Sequence, residues 1–174
     1  LVDRQHVGQG KLVEVAEVVL PELSGRVAER LQELRDGRIL PGDPDRRVRQ
    51  VAIDEVDVLY PACVAMFTEE VGVNPETVSA LGGYRARVTQ LVTMGWSLAI
   101  IEDDTVLFKA EVGAATATAC QIQGVWVHPD LRGTGLAAPA MAAVVRQVRR
   151  AIAPTVTLYV NDHNTPARRT YDRV

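Results

Sequence analysis

Cysteine is scarce in this chain of 174 residues, which has two, Cys63 and Cys120. Both lie in apolar surroundings without a Cys-x-x-Cys or Cys/His ligand spacing, so neither a disulfide framework nor a metal site organises the protein, and reduced structural thiols are expected. Long hydrophobic runs are missing as well. None approaches the ~20 residues of a membrane-spanning helix, and the opening LVDRQHVGQG lacks the layout of a signal peptide. Positive charge is not in excess: 19 Lys and Arg against 22 Asp and Glu leave a formal charge of −3. That balance argues against a protein that holds nucleic acid on a basic face. The clustered Arg146, Arg149 and Arg150 read as a solvated helix face. Internal repeats and low-complexity tracts are absent. The expectation is a cytoplasmic globular protein with no metal and with neither membrane nor nucleic acid as partner.

What is present suits a folded domain. With 47% hydrophobic and 24% charged residues, a chain of this size buries roughly 70% of its unfolded surface. The first boundary is LPGDPDRR, residues 40–47, where prolines, a glycine and mixed charges interrupt any period. Residues 1–46 are therefore read as an N-terminal extension, and 47–174 as the main domain. Within the extension, Val27, Leu31 and Leu34 have helical spacing and Gly37 is a plausible stop. Beyond it, VRQVAI alternates like a strand, and Asp54 can cap a helix carrying Val58, Ala62, Ala65, Met66, Glu69 and Glu70. Asn74 and Pro75 suit the cap and first position of a helix continuing towards Met94. From Trp96 the period changes to three β-rich runs, split by Asp103–Asp104 and by the small residues of 115–119, which predicts an antiparallel meander. A helix over about 136–151 follows, then a buried strand in TVTLYVND, then a last helix capped near Asn164 or Thr165.

The segment VHPDLRGTGLAA joins the meander to the alanine-rich helix. Gly133 and Gly135 can take backbone angles closed to other residues, so that successive N–H groups converge on an anion at the helix N-terminus. Such a nest suits a pyrophosphate, with Arg132 adding charge, Thr134 a hydroxyl, and small Ala137 and Ala138 a close backbone approach. A tight turn that merely needs glycine is the alternative. Gly133 to Ala138 also matches Gly-x-Gly-x-x-Ala, a dinucleotide fingerprint. The context opposes an oxidoreductase of that kind: HPDLR separates the strand from the glycines, antiparallel strands precede them, and no second mononucleotide half follows. Pro139 falls in the first helical turn, where its missing N–H costs little.

VHPDLRGTGLAA resembles the acyl-CoA-binding signature of the GNAT N-acetyltransferases, Arg/Gln-x-x-Gly-x-Gly/Ala, here Arg132-x-x-Gly135-x-Ala137. The stretch LYVNDHNTPARRTYDRV resembles the family's second signature, with Asn161, Asn164, Ala167 and Tyr171 in its places. The resemblance covers about residues 48–174 and implies an α/β fold of the α+β kind: a mixed, mostly antiparallel central sheet flanked by helices. Residues 1–46 fall outside it; because some relatives carry an additional N-terminal domain, part of such an extra domain is the alternative to a plain extension there. Relatives follow the tyrosine helix with a last strand, whereas this sequence stops at Val174. Either the C-terminus is truncated or disordered, or another chain supplies the strand, and a missing last strand would expose a sheet edge and favour a homodimer.

The resemblance further implies acetyl-CoA as cosubstrate and transfer of its acetyl group to a primary amine, on a small molecule or a peptide, by direct attack in a ternary complex. The amides of Arg132, Gly133, Thr134, Gly135, Leu136, Ala137 and Ala138 would hold the pyrophosphate, and the backbones of Val125 and Val127 would pair with pantetheine beside a bulge at Gly124. Asn161, Asn164 and Ala167 would line the pantetheine arm. Tyr171 occupies the general-acid position, a phenol that stays protonated at neutral pH because its reference pKa is about 10; a core-packing tyrosine is the alternative. Glu111 is the candidate base, unless it pairs with Lys109 on the same strand face, and Glu69 and Glu70 are further candidates. His128 is expected to pack or bond locally and His163 to face solvent. A noncatalytic acyl-CoA-binding module is the other reading of the same motifs.

Overall fold

The computed structural model describes residues 43–78, 83–161 and 164–174. The expected helix around Val27 to Gly37, nearly all of the N-terminal extension, and His163 lie outside the described residues.

The described residues form a five-stranded sheet in the order β1-β2-β3-β4-β5. Its strands are β1 (Arg49–Gln50), β2 (Ser97–Glu102), β3 (Thr105–Ala115), β4 (Ala119–Val127) and β5 (Thr155–Leu158). The first four run antiparallel to their neighbours and β5 runs parallel to β4. The meander and its break points are those that the sequence predicts. Asp103 and Asp104 both adopt positive φ, 46° and 57°, and Glu102 pairs with Thr105, so a two-residue turn whose twist matches the strands closes the β2–β3 hairpin. Aspartate tolerates this region better than most residues because its short side chain can bond locally.

Both sheet faces are covered, which is why β2 and β3 read as nearly continuous apolar runs. On one face Leu98, Ile100, Phe108, Val112 and Ile122 pack against Ala140, Met141, Val144 and Val148 of α4 (Ala137–Ala151). On the other, Ala99, Val106 and Trp126 meet Leu59, Cys63 and Met66 of α1 (Val56–Val71) and Val88 and Val92 of α3 (Gly83–Thr93). Each of the large fully buried side chains contributes about 1.5–3 kcal/mol by leaving water. The short α2 (Pro75–Val78) begins after Asn74, whose Oδ1 accepts the Glu76 amide. The last helix, α5 (Thr165–Tyr171), is capped by the Asn164 side chain. Both cysteines are free and buried.

Three local expectations are corrected. The strand in VRQVAI shrinks to Arg49–Gln50, because Val48 and Val51 turn into the two cores instead of continuing the ladder. Asp54 does not cap α1; it lies in a 3₁₀ turn, Ile53–Glu55, and Glu55 precedes the helix while its carboxylate accepts the Ala52 amide and pairs with Arg49. β5 is not a buried strand, since its residues alternate between exposed and half-buried. It pairs with β4 and lies last in the described sheet, so it lacks the cover that β2 and β3 receive. Among the described residues no helix is long and apolar enough to cross a membrane.

Candidate active site

Strand β4 carries the first part of the site. Its pairing with β5 runs only from Ala119↔Thr155 to Ile122↔Leu158, so residues 123–127 extend past the partner strand. On the other side, Lys109 pairs with Trp126 and Glu111 with Gln123. Two β4 residues, Gly124 and Val125, therefore oppose Ala110 alone, which is a bulge, and Gly124 has the positive φ of 57° that a bulge of this kind requires. A Cβ at Gly124 would lie 2.8 Å from a Glu111 carboxylate oxygen, so glycine is needed twice over. The His128 amide donates to Leu107 of β3. By strand alternation the backbone groups of Val127, and of Val125 before it, point to the opposite side, where β5 has already ended.

The glycine turn carries the second part. Gly133 and Gly135 have φ of 76° and 93°, and a Cβ on either would meet nothing within 4 Å. The glycines are there for backbone conformation, and the space before them is open. The Arg132 and Thr134 amides are spent inside the turn, on Pro129 and Leu131, and the Thr134 hydroxyl also donates to Leu131. The amides of Gly133, Gly135, Leu136, Ala137 and Ala138 donate to no acceptor among the described residues. They sit at and before the start of α4, where the helix dipole favours an anion. The expectation of a converging run from Arg132 to Ala138 is thus narrowed to those residues. Leu136 is buried and anchors the turn in the core. Pro139 is the third residue of α4, and its carbonyl accepts the Asp45 amide at 2.9 Å.

Arg132 is placed differently from its expected role. Its Nη2 lies 3.0 and 2.8 Å from the two carboxylate oxygens of Glu69 on α1, and its Nε donates to the Val127 carbonyl at 3.1 Å. Glu69 also accepts the Trp126 indole N–H at 3.3 Å. Nothing local in the sequence announces this cluster; the only signal is an acidic residue near the end of a helix facing an arginine far along the chain.

The third part lies under α1. Lys109 and Glu111 project from β3 as a buried pair, Nζ to Oε2 3.1 Å, with Gln123 contributing an amide 3.4 Å from the other Glu111 oxygen. Burial works against the Lys109 charge, but Cys63, Glu111 and Tyr84 outweigh it and push the ammonium pKa up. Burial raises the Cys63 thiol. Glu70, beside Glu69, has its carboxyl raised by partial burial, with Glu111 and Glu69 adding to the rise and Lys109 opposing it. Tyr171, the last residue of α5, packs half-buried against the core. Burial first and the Glu70 charge second push its phenol up, so it is protonated at neutral pH. Glu70 and Tyr171 are thus coupled electrostatically, and Glu70 is coupled in turn to Lys109 and Glu111.

The remaining expected residues differ in exposure. Asn161 is exposed and its carbonyl accepts the Asn164 amide at 2.8 Å. The Asn164 Oδ1 accepts the Ala167 amide at 3.2 Å, a capping role that engages one end of its side chain. His128 is buried, edge-on to Trp126 at 5.8 Å and 4.0 Å from Asp130, in keeping with local packing.

Residues 93–174 match the model of the acetyltransferase (GNAT) family. Three solved structures illustrate the likeness in fold. A GCN5-related N-acetyltransferase from Kribbella flavida is 20% identical with a TM-score of 0.50; the match covers 70% of this chain and 32% of that one, so this chain spans about a third of its length. An aminoglycoside acetyltransferase from an uncultured soil metagenomic sample is 18% identical with a TM-score of 0.54, covering 72% and 87%. A predicted acetyltransferase from Clostridium acetobutylicum, solved with acetyl-CoA, is 12% identical with a TM-score of 0.50, covering 71% and 86%. No curated protein matches the chain.

Proposed function

Residues 93–174 match the GNAT acetyltransferase family, and from that match we propose that the chain is a GNAT acetyltransferase that moves the acetyl group of acetyl-CoA to a primary amine by direct transfer in a ternary complex. The observation that supports this best is the set of free amides at Gly133, Gly135, Leu136, Ala137 and Ala138, opening beside the unpaired stretch of β4. A diphosphate needs converging donors at a helix N-terminus, and an extended pantetheine arm needs an unpaired strand edge; the two occur here side by side.

In this reading the pyrophosphate lies on those amides and pantetheine runs along Val125 and Val127, towards Asn161, Asn164 and Ala167. A neutral amine attacks the thioester carbonyl carbon, the C–S bond breaks after the tetrahedral intermediate, and the thiolate takes a proton from Tyr171. The amine's surplus proton goes to a carboxylate. Glu111 can serve, but Lys109 and Gln123 already occupy its oxygens. Glu70 suits the task better, because it is accessible and its raised carboxyl accepts a proton more readily than an ordinary glutamate. The three carboxylates of Glu69, Glu70 and Glu111 near this point favour an acceptor that arrives as a cation and loses its proton in the site.

The test is acetyl-CoA turnover across a panel of amines, followed by release of free thiol. Acceptor-dependent thiol release supports transfer. Tight acetyl-CoA binding with no release for any amine points to the noncatalytic module.

A further inference from the structure

We propose that Glu69 is a positioning residue for coenzyme binding, tying the loop 132–136 to α1 through Arg132. The proposal rests on the assignment of that loop to the pyrophosphate. One carboxylate takes the Arg132 guanidinium at 2.8 and 3.0 Å and the Trp126 indole at 3.3 Å. It therefore grips the chain on both sides of the 3₁₀ turn Pro129–Leu131, at the end of β4 and at the start of the glycine loop. Arg132 completes the tie by donating from Nε to Val127.

The loop needs such a tie. Gly133 and Gly135 have open space around them, and glycine loses more freedom on ordering than any other residue. Short bonds from Arg132 and Thr134 back to Pro129 and Leu131 hold only its base. An anion nest works when its N–H groups already point to one place, because freedom removed beforehand is not lost again on binding. The Arg132–Glu69 pair is about half exposed, at 47% and 45%, so it adds only ~0–1 kcal/mol to folding. Its effect falls on the loop.

Calorimetric titration of the full chain with coenzyme A tests this in Glu69→Gln, Arg132→Ala and the double variant. Glu69→Gln is expected to weaken binding about 3–10-fold, the scale of a surface ion pair in good geometry, with the unfolding midpoint nearly unchanged. Arg132→Ala should show a similar loss, Arg132→Lys a smaller one, and the double variant no more than Arg132→Ala alone. With an accepted amine, KM for acetyl-CoA should rise in each variant in parallel with the loss of coenzyme A affinity. Equal or tighter binding by Glu69→Gln overturns the proposal; tighter binding would mean that Glu69 restrains Arg132 from the phosphates. Additive losses also overturn it, since the two residues would then act separately. If the unaltered chain fails to bind coenzyme A, the loop assignment itself falls and the proposal with it.

Discussion

At the scale of single residues the site depends on two side chains held in unlike surroundings. The Tyr171 ring is half-buried against the core, whereas its hydroxyl is proposed to serve the leaving thiolate. Tyr171→Phe keeps the ring and should leave acetyl-CoA affinity nearly intact while lowering kcat by ~10²–10⁴-fold. Tyr171→Ala should add a stability loss below the ~3–5 kcal/mol of a fully buried aromatic. Full turnover by the Phe variant, under conditions where chemistry limits the rate, would remove Tyr171 as the acid. Lys109 is different in kind, because its charge is buried and paired. Lys109→Met leaves Glu111 as an uncompensated buried charge and is expected to destabilise the fold by about 3–5 kcal/mol in urea unfolding. Lys109→Met with Glu111→Leu should recover most of that loss; a double variant as unstable as the single one would show that packing, not charge, is what Lys109 supplies.

At the scale of elements, the glycine turn and α1 set the site's geometry. Gly135 holds φ at 93° with open space before it, so Gly135→Val costs both conformation and access. The strain should lower stability by about 1–3 kcal/mol, and the added side chain, placed where the anion would sit, should weaken coenzyme A binding further. Calorimetry beside thermal unfolding separates the two, and unchanged affinity in the folded variant would refute the pyrophosphate assignment. Helix α1 presents Glu70, whose carboxyl is raised by partial burial, Glu111 and Glu69, and lowered by Lys109. Burial and then the Glu70 charge in turn raise the Tyr171 phenol. If Glu70 is the base, the acidic limb of kcat/KM lies above the ordinary glutamate range. The sign follows directly: Glu69→Gln removes a neighbouring negative charge, lowers the Glu70 pKa and moves that limb to lower pH. An unmoved limb would assign the base elsewhere. The raised carboxyl also means that Glu70 favours folding in its protonated form, a contribution that is lost as pH rises through its folded pKa.

At the scale of the whole molecule, coenzyme binding should appear as stability. A ligand that binds only the folded chain stabilises it by about 2.7 kcal/mol at a hundred times its Kd, and a protein of this size then gains about 5–10 °C in its unfolding midpoint. Acetyl-CoA and coenzyme A are expected to produce that shift and NAD is not. A shift with NAD alone would revive the dinucleotide reading of Gly133 to Ala138. The mixed sheet suits the proposed use: antiparallel strands carry β4 to the bulge, and the single parallel pairing with β5 stops at Ile122.

The sequence by itself determined what neighbours along the chain decide. The Asp103–Asp104 turn, the Asn164 cap, the glycine loop before α4 and the small-residue break at 115–119 are local, since each depends on backbone angles or on a bond spanning a few residues. The alternation and helical spacing placed most strands and helices for the same reason. Tertiary structure decided where distance along the chain intervenes. Arg132 and Glu69 are 63 residues apart, and no pattern between them shows that they meet, so the arginine reads from sequence as an anion ligand and proves to be held by α1. VRQVAI alternates over six residues, yet only two enter the ladder, because Val48 and Val51 go to the cores on either face of the sheet. TVTLYVND reads as buried because its β-branched residues suit a covered strand, but cover depends on what packs above, and β5 lies at the last position of the described sheet. Lys109 and Glu111 could be read only as a same-face pair; their burial was decided by the tertiary packing that covers the sheet.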